Sequence, residues 1–321
     1  MDKTAVDKIL DLIKKNDSII ILRHVTADGD AYGFQFGLRN LIKLNWPEKT
    51  VKITGQPTKY LDYIGTDFDS VSDQEFKNSL VIVGDTANRP RIDESRWNLA
   101  KIIVKIDHHP NRDVYGDVMW VDPDYCATSE MLADLIYQNP DLKIDAETAR
   151  IIYHGIVTDS NRFMLRYPKP RTFRLAAFLL EQGFDLSKLY QTMYQKTETD
   201  LKLTSHVYSN YKTTKHGVSY LYLRYSELKE LGLDTDYVAY EYVNLLSNIK
   251  NRPIWAFFCE YQNGTIRVEL RSQNIQINQI AEKYGGGGHK TAAGIKIDSF
   301  DIADQVVNDL DAILERRADN E

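Results

Sequence analysis

Three short apolar runs in this chain each end in acids or imidazoles. Lys101-Ile-Ile-Val-Lys-Ile106 runs into Asp107-His108-His109, Ser18-Ile-Ile-Ile-Leu22 into His24-Val-Thr-Ala-Asp28-Gly-Asp30, and Leu80-Val-Ile-Val83 into Gly84-Asp85-Thr86. Acids crowded at one place, with no strongly basic neighbours at the strand ends, repel one another unless a divalent cation compensates them. Oxygen and imidazole donors without thiolate favour manganese, iron, cobalt or zinc over calcium, and repeated Asp in place of Cys leans away from structural zinc. Manganese is the expected ion. Two such ions about 3.5–4 Å apart, sharing one carboxylate, would lower the pKa of a bridging water and clamp phosphoryl oxygens for in-line attack. The chemistry expected is phosphoester hydrolysis. Alone, His24, Asp28 and Asp30 are weak witnesses, because Asp-Gly-Asp is common in turns. Asp85 and Asp107-His108-His109 change that balance.

A second motif lies far along the chain, where Tyr284 and four glycines, Gly285 to Gly288, precede His289-Lys290-Thr-Ala-Ala-Gly294. Consecutive backbone N–H groups there can approach an anion, with His289 as a side-chain donor. No glycine directly precedes Lys290, so this is not a Walker-type phosphate loop. A tight turn is the simpler reading of most glycine runs; the adjacent His and small residues favour ligand contact.

The elements that must position these groups follow from periodicity. In an open parallel α/β sheet, ligands bind at the carboxyl edge of the strands, where the loops converge. Val6, Ile9, Leu10 and Ile13 mark one face of a helix over 5–14. A further helix is opened by Asp28-Gly-Asp30 and runs to Leu44; its Gly33 and Gly37 are read as close packing against the sheet. Val51–Thr54 adds a short strand, residues 128–137 a helix, and Ala146 to Val157 another that ends at Thr158-Asp159. Strands alternating with helices imply a parallel, doubly wound sheet. From about Leu186 to Tyr211 the pattern is polar and helix-compatible. Beyond it, 218–223, 254–258 and 265–270 read as strands, Asn263-Gly264 as a two-residue hairpin, and 302–316 as a helix. The expected class is α/β: a doubly wound parallel-sheet domain over 1–185, a helical linker over 186–212, and a smaller mixed-sheet domain over 213–321.

Bulk properties narrow the partners. The 321 residues suit two domains, each with its own core, and 43% hydrophobic with 27% charged residues is ordinary for a globular protein. A net charge of −6 argues against a long footprint on duplex nucleic acid. Cys126 and Cys259 are too few and too far apart for a disulfide framework or a thiolate zinc site. The N-terminus lacks a signal-type apolar stretch, and no run of about 18 apolar residues suggests a membrane span. A cytoplasmic location is expected.

On these residues the chain resembles the DHH phosphoesterases that carry a DHH-associated C-terminal domain. The resemblance covers nearly the whole chain, with His24-Val-Thr-Ala-Asp28-Gly-Asp30-Ala, Asp85-Thr86, Asp107-His108-His109, Gly155-Ile-Val-Thr-Asp159, Arg271-Ser272 and Gly286-Gly-Gly-His289 to Gly294 in the family's order. It implies that His24, Asp28 and Asp85 hold one manganese and Asp30, Asp85, His108 and Asp159 a second, with Asp85 bridging. It also implies that His109 contacts the scissile phosphate and Asp107 orients the site. In the second domain, Arg271 and His289 would grip another phosphate or terminal nucleotide, beside Ser272 and the N–H groups of Gly286, Gly287 and Gly288. Departures are Ala27, where the family often has Pro, Ser160-Asn161 in place of a common Thr-Gly, and Gly84-Asp85-Thr-Ala-Asn88, which differs from some relatives after the bridging acid. Asn tolerates left-handed backbone, so the second need not disturb the turn.

The length leaves little room for the extra modules of RecJ-type exonucleases, and no membrane or sensor segment of the membrane-bound cyclic-dinucleotide enzymes is visible. The resemblance therefore points to the small branch acting on short oligoribonucleotides or 3′-phosphoadenosine 5′-phosphate, with a soluble phosphodiesterase for cyclic or linear dinucleotides as the alternative. Tyrosines, twenty in all, offer candidates for base stacking, worth about 1–3 kcal/mol per base. A homodimer is compatible with the sequence.

Overall fold

The computed structural model describes residues 3–165 and 168–318. The chain divides into two compact units, Met1–Tyr194 and Gln195–Glu321. The first contains, in order, α1 (Lys3–Lys15), β1 (Ser18–Leu22), α2 (Gly29–Asn45), β2 (Thr50–Ile53), α3 (Asp73–Asn78) and β3 (Leu80–Gly84). It continues with β4 (Ile102–Asp107), β5 (Val118–Val121), α4 (Thr128–Tyr137), α5 (Ala146–Asp159), α6 (Pro170–Leu180) and α7 (Leu186–Met193).

All five strands are parallel, in the order β2-β1-β3-β4-β5. The chain leaves β1 for one neighbour, β2, and then crosses to β3 on the other side. This order reverses at the β1/β3 boundary, which is where open α/β sheets form their crevice. The uninterrupted apolar runs are explained by burial on both faces. Ile19, Ile21, Ile82, Val104 and Ile106 join the main core with α1, α2, α4 and α5, while Ile20, Leu22, Val81 and Val83 pack with Phe76, Ile92 and Tyr115 on the opposite face.

Gly33 and Gly37 do pack closely, but against a helix rather than the sheet. A Cβ at Gly33 would lie 2.8 Å from the Cα of Gly155, and one at Gly37 would lie 2.7 Å from Ile152 Cγ1. Gly29 continues the row, since its Cβ would lie 2.4 Å from Thr158 Oγ1. A seam of glycines on α2 therefore lets α5 approach closely, backbone to backbone at Gly33 and Gly155.

The second unit contains α8 (Glu198–Asn210), β6 (Lys212–Thr213), β7 (Val218–Leu223), α9 (Tyr225–Leu231), α10 (Thr235–Tyr242) and β8 (Ile254–Glu260), then β9 (Ile266–Ser272), α11 (Asn278–Lys283), β10 (Gly287–His289), β11 (Ala292–Ile297) and α12 (Phe300–Ala318). Its six strands run β10-β11-β9-β8-β7-β6, antiparallel except for β7 beside β8. One face packs on α12 through Val306, Val307 and Leu310; the other packs on α8 and α10 through Leu203, Val207 and Val238.

The polar stretch after residue 185 forms two helices with separate allegiances. Leu189 of α7 joins the first core, and Leu203 and Val207 of α8 join the second unit. The β8–β9 hairpin forms, with a longer loop than Asn263-Gly264 predicts. Gly264 N donates to Tyr261 O at 2.9 Å and Gly264 sits at φ +83°, so the dipeptide occupies the second half of a four-residue turn. No described helix is long and apolar enough to cross a membrane.

Candidate metal centre

Beyond β1, Arg23 is fully buried and fixes the next residue. Its guanidinium donates to Gln35 Oε1 at 3.1 Å, to the His24 carbonyl at 3.0 Å, to Asp93 Oδ2 at 2.8 Å and to the Gln56 carbonyl at 2.6 Å. His24 Nδ1 lies 2.8 Å from the Val25 carbonyl and 3.3 Å from Arg91 Nη2; the shorter contact assigns the proton to Nδ1, and Nε2 faces the acids. That Nε2 is 3.7 Å from Asp28 Oδ1 and 3.4 Å from Asp85 Oδ2. Asp28 caps α2, accepting from the N–H groups of Asp30 and Ala31. Asp30 points at the start of α4, where Thr128 N donates to Oδ2 at 2.6 Å and Ser129 N to Oδ1 at 2.8 Å.

Asp85 follows β3 directly at φ +50°, a left-handed conformation that is uncommon outside glycine. Its N–H donates to the Ile106 carbonyl of β4 at 3.0 Å, which ties the turn to the next strand. One carboxylate oxygen faces His24; the other is 3.4 Å from His108 Nε2 and accepts from Thr128 Oγ1 at 3.1 Å. His108 Nε2 is also 3.4 Å from Asp159 Oδ2 and 4.0 Å from Asp30 Oδ2, while its Nδ1 lies 3.3 Å from the Tyr125 carbonyl. Both imidazoles thus place Nδ1 on a carbonyl and present Nε2, the way a metal-binding histidine is oriented through its other ring nitrogen.

Two donor groups, each with one donor atom per residue gathered within 4.8 Å, combine these acids and imidazoles, His24, Asp28 and Asp85 in one and Asp30, Asp85 and His108 in the other, while Asp85, Asp107 and His109 meet the same distance beside them. Asp85 belongs to both. Asp159, at the end of α5, meets the second group through His108. The turn after it carries Asn161 at φ +44°, so the Asn in place of Gly does take up the left-handed backbone.

Buried carboxylates dominate the electrostatics of this cluster. The ion pairs of Asp30 and Asp85 are all with histidines. Burial, then the carboxylates of Asp85 and Asp159, push the Asp30 carboxyl well above its ordinary range. Burial also pushes Asp85 upward, but His108 and His24 outweigh it and hold the carboxyl well below that range. For His24 burial acts to lower the pKa, and Asp28 and Asp85 override it to hold the ring up at about 9. Excess buried negative charge beside two oriented Nε2 atoms fits divalent cations.

His109 lies beside the shared acid, with Nδ1 2.8 Å from Asp107 Oδ1 and 3.6 Å from Asp85 Oδ1. Asp107 is fully buried, and its other oxygen is 3.5 Å from Nζ of Lys105, which is also fully buried. Lys105 donates to the carbonyls of Ala87 at 3.2 Å and Asp113 at 3.3 Å and sits 4.4 Å from the centre of the Tyr115 ring. It therefore ties together the loops that follow β3 and β4.

In the second unit the glycine run is a strand rather than an open loop. Gly287, Gly288 and His289 pair with Gly294, Ala293 and Ala292 of β11. A Cβ at Gly286 would lie 2.2 Å from the Gly294 carbonyl oxygen, and one at Gly288, where φ is +144°, would lie 2.5 Å from the Ala292 carbonyl oxygen. Close approach of β11 accounts for both. Ser272 is buried and its hydroxyl donates to the Ile275 carbonyl at 2.5 Å. Arg271 donates through Nη1 to Glu269 Oε2 at 2.8 Å and to the Leu270 carbonyl at 3.0 Å.

Sequence reasoning passed over Arg23, Lys105, Thr128, Ser129 and Glu269. Two signals were present. A lysine and a glutamate each interrupt an otherwise apolar strand pattern, at 105 and 269, and Thr-Ser opens the helix at 128.

The profile of the DHH family, N-terminal domain, matches residues 18–156, and that of the DHHA1 domain matches residues 217–318. The chain is 39% identical over 301 residues to the probable bifunctional oligoribonuclease and PAP phosphatase NrnA of Streptococcus mutans, covering 94% of this chain and 96% of that one. It is 35% identical over 308 residues to the bifunctional oligoribonuclease and PAP phosphatase NrnA of Bacillus subtilis, covering 95% and 97%. A solved exopolyphosphatase-related protein of Bacteroides fragilis shares the fold, with a TM-score of 0.86, 24% identity and 98% of each chain covered. From the strand-end acids to these near-full-length relatives, the chain belongs to the DHH family, with a DHHA1 domain following its DHH domain.

Proposed function

We propose that this chain is a manganese-dependent phosphoesterase that hydrolyses short oligoribonucleotides and 3′-phosphoadenosine 5′-phosphate. The observation that carries the reading is the pair of donor groups sharing Asp85, with His109 held beside them by Asp107. The relatives named as bifunctional oligoribonucleases and PAP phosphatases support the substrate class.

In this reading His24, Asp28 and Asp85 would hold one cation and Asp30, Asp85, His108 and Asp159 the other. When bound, such a pair supplies a water of lowered pKa and positive charge for the phosphoryl oxygens. The chain's own residues do the rest. Thr128 and Ser129 fix both oxygens of Asp30, so that acid does not rotate. Asp107 accepts from His109 Nδ1 and fixes the ring, leaving Nε2 as the atom that addresses the scissile phosphate and carries a proton toward the departing oxygen. Arg271 and His289 of the DHHA1 domain would bind a second phosphate or terminal nucleotide. The cytoplasm is the proposed place of action, in keeping with two free, buried cysteines.

The test is one hydrolysis panel with measured metal content: dinucleotides to pentanucleotides, 3′-phosphoadenosine 5′-phosphate, longer RNA and a cyclic dinucleotide. The short oligoribonucleotides and the bisphosphate should turn over fastest with added manganese. Manganese bound but neither of them hydrolysed would refute the proposal.

A further inference from the structure

Alternation along β9 places Ile266, Val268 and Leu270 in the core beneath α12, and Arg267, Glu269 and Arg271 on the other face. On that face Glu269 is buried between the two arginines. Arg267 donates through Nε to Glu269 Oε1 at 2.8 Å and through Nη2 to the same oxygen; Arg271 Nη1 donates to Oε2 at 2.8 Å. Each carboxylate oxygen is thereby assigned to one guanidinium.

The neighbouring strand leaves room for this. Gly294 of β11 is the register partner of Glu269, and a Cβ there would lie 3.4 Å from Glu269 Oε1 and 3.6 Å from Arg267 Nη2. The last glycine of the second sequence motif thus has a purpose distinct from the run at 285–288: it borders the space that the acid and Arg267 fill. Burial pushes the Glu269 carboxyl upward, but Arg271 and then Arg267 outweigh it, so it remains charged at neutral pH.

Arg271 has five N–H donors in a planar fork. The two on Nη1 go to Glu269 and the Leu270 carbonyl, and among the described residues Nε and Nη2 make no hydrogen bond. One complete edge of the guanidinium is thus held in a fixed plane, the shape that binds two phosphate oxygens at once. The three side chains sum to one positive charge, so the group as a whole favours an anion.

We propose that Glu269 is a positioning residue for phosphate recognition, holding Arg271 by Nη1 so that its Nε/Nη2 edge grips the phosphate that is not cleaved. This rests on the function proposed above. A residue of merely structural importance would weaken all ligands alike; a positioning residue weakens only those that carry the second phosphate.

The experiment compares adenosine 3′,5′-bisphosphate with adenosine 3′-phosphate, measuring affinity by calorimetry and KM and kcat by phosphate release, on the full chain with manganese. Charged hydrogen bonds of this kind should give the parent a preference for the bisphosphate of roughly 10–100-fold. Glu269→Gln should remove about 10-fold of that preference, in Kd and KM more than in kcat, with manganese stoichiometry intact. Adding Glu269→Gln to Arg271→Ala should lower it no further. Where Glu269→Gln does not fold, Glu269→Asp, which keeps the charge and shortens the arm, should show the same loss. A parent without preference, a preference unchanged in the Glu269 variants, or additive losses in the double variant would overturn the inference. Because affinities decide it, a parent that binds the bisphosphate selectively but hydrolyses neither compound would refute the function and leave this inference standing.

Discussion

Replacing Lys105 by Met tests whether the buried charge pair behind His109 holds the site together. Both side chains of the Lys105–Asp107 pair are fully buried, and Lys105 also supplies hydrogen bonds to the Ala87 and Asp113 carbonyls. Met has a similar length and no charge, so the cavity stays filled while Asp107 keeps only histidines as counter-charge. Removing one partner of a buried ion pair costs about 3–5 kcal/mol. At about 2–4 °C per kcal/mol for a unit of this size, melting of the DHH domain should fall by roughly 6–20 °C. Combining Lys105→Met with Asp107→Asn removes both charges, so part of the lost stability should return, with a coupling of about 1–3 kcal/mol. Activity should not return, because His109 then lacks its carboxylate. Thermal melts of the four proteins and their turnover complete the cycle. A Lys105→Met melt within about 2 °C of the parent, or strictly additive losses, would refute the reasoning.

Two further predictions bear on the acids and imidazoles themselves. Asp85→Asn keeps the left-handed backbone that Asn tolerates but takes charge from both donor groups. Manganese content should fall toward zero and turnover should drop by more than about 100-fold, the upper range for residues that only support a ligand; elemental analysis and phosphate release read both, and a fully loaded variant would contradict the sharing of Asp85. His24 is held up at about 9 against an ordinary 6.5, so in chelator-treated protein its charged form stabilises the fold fully below about 6.5, and that contribution is lost as pH rises through about 9. Metal has to displace this proton, so affinity should climb between pH 7 and 9 with proton release, seen by calorimetry in buffers of different ionisation enthalpy. Affinity flat across that window would count against the assignment.

The strands β1, β3 and β4 were legible because both of their faces are buried and nearly every residue is apolar. Their donors were legible because Asp and His have no reason to cluster at three strand ends unless something joins them. Asp159 had no such local mark; only the family resemblance singled it out, and three-dimensional contact with His108 supplies the reason. β5 was missed because Val118–Val121 is four residues long and indistinct beside the loops around it. β10 was missed for a different reason: glycines carry no strand preference, and pairing with β11 alone makes Gly287–His289 extended. Arg23, Lys105 and Glu269 act through partners that the sequence does not place beside them, so their types were visible and their roles were not.

The glycine seam between α2 and α5 reaches past packing. Asp28 and Asp30 stand at one end of α2 and Asp159 at the facing end of α5, and the two helices are packed closely, backbone on backbone at Gly33 and Gly155 and against the Thr158 and Ile152 side chains at Gly29 and Gly37. The span between acids on opposite helices is therefore a rigid gauge. If those acids hold cations as proposed, an ion of the wrong radius would meet a frame that gives little, and discrimination among similar cations would depend on three residues that have no side chain.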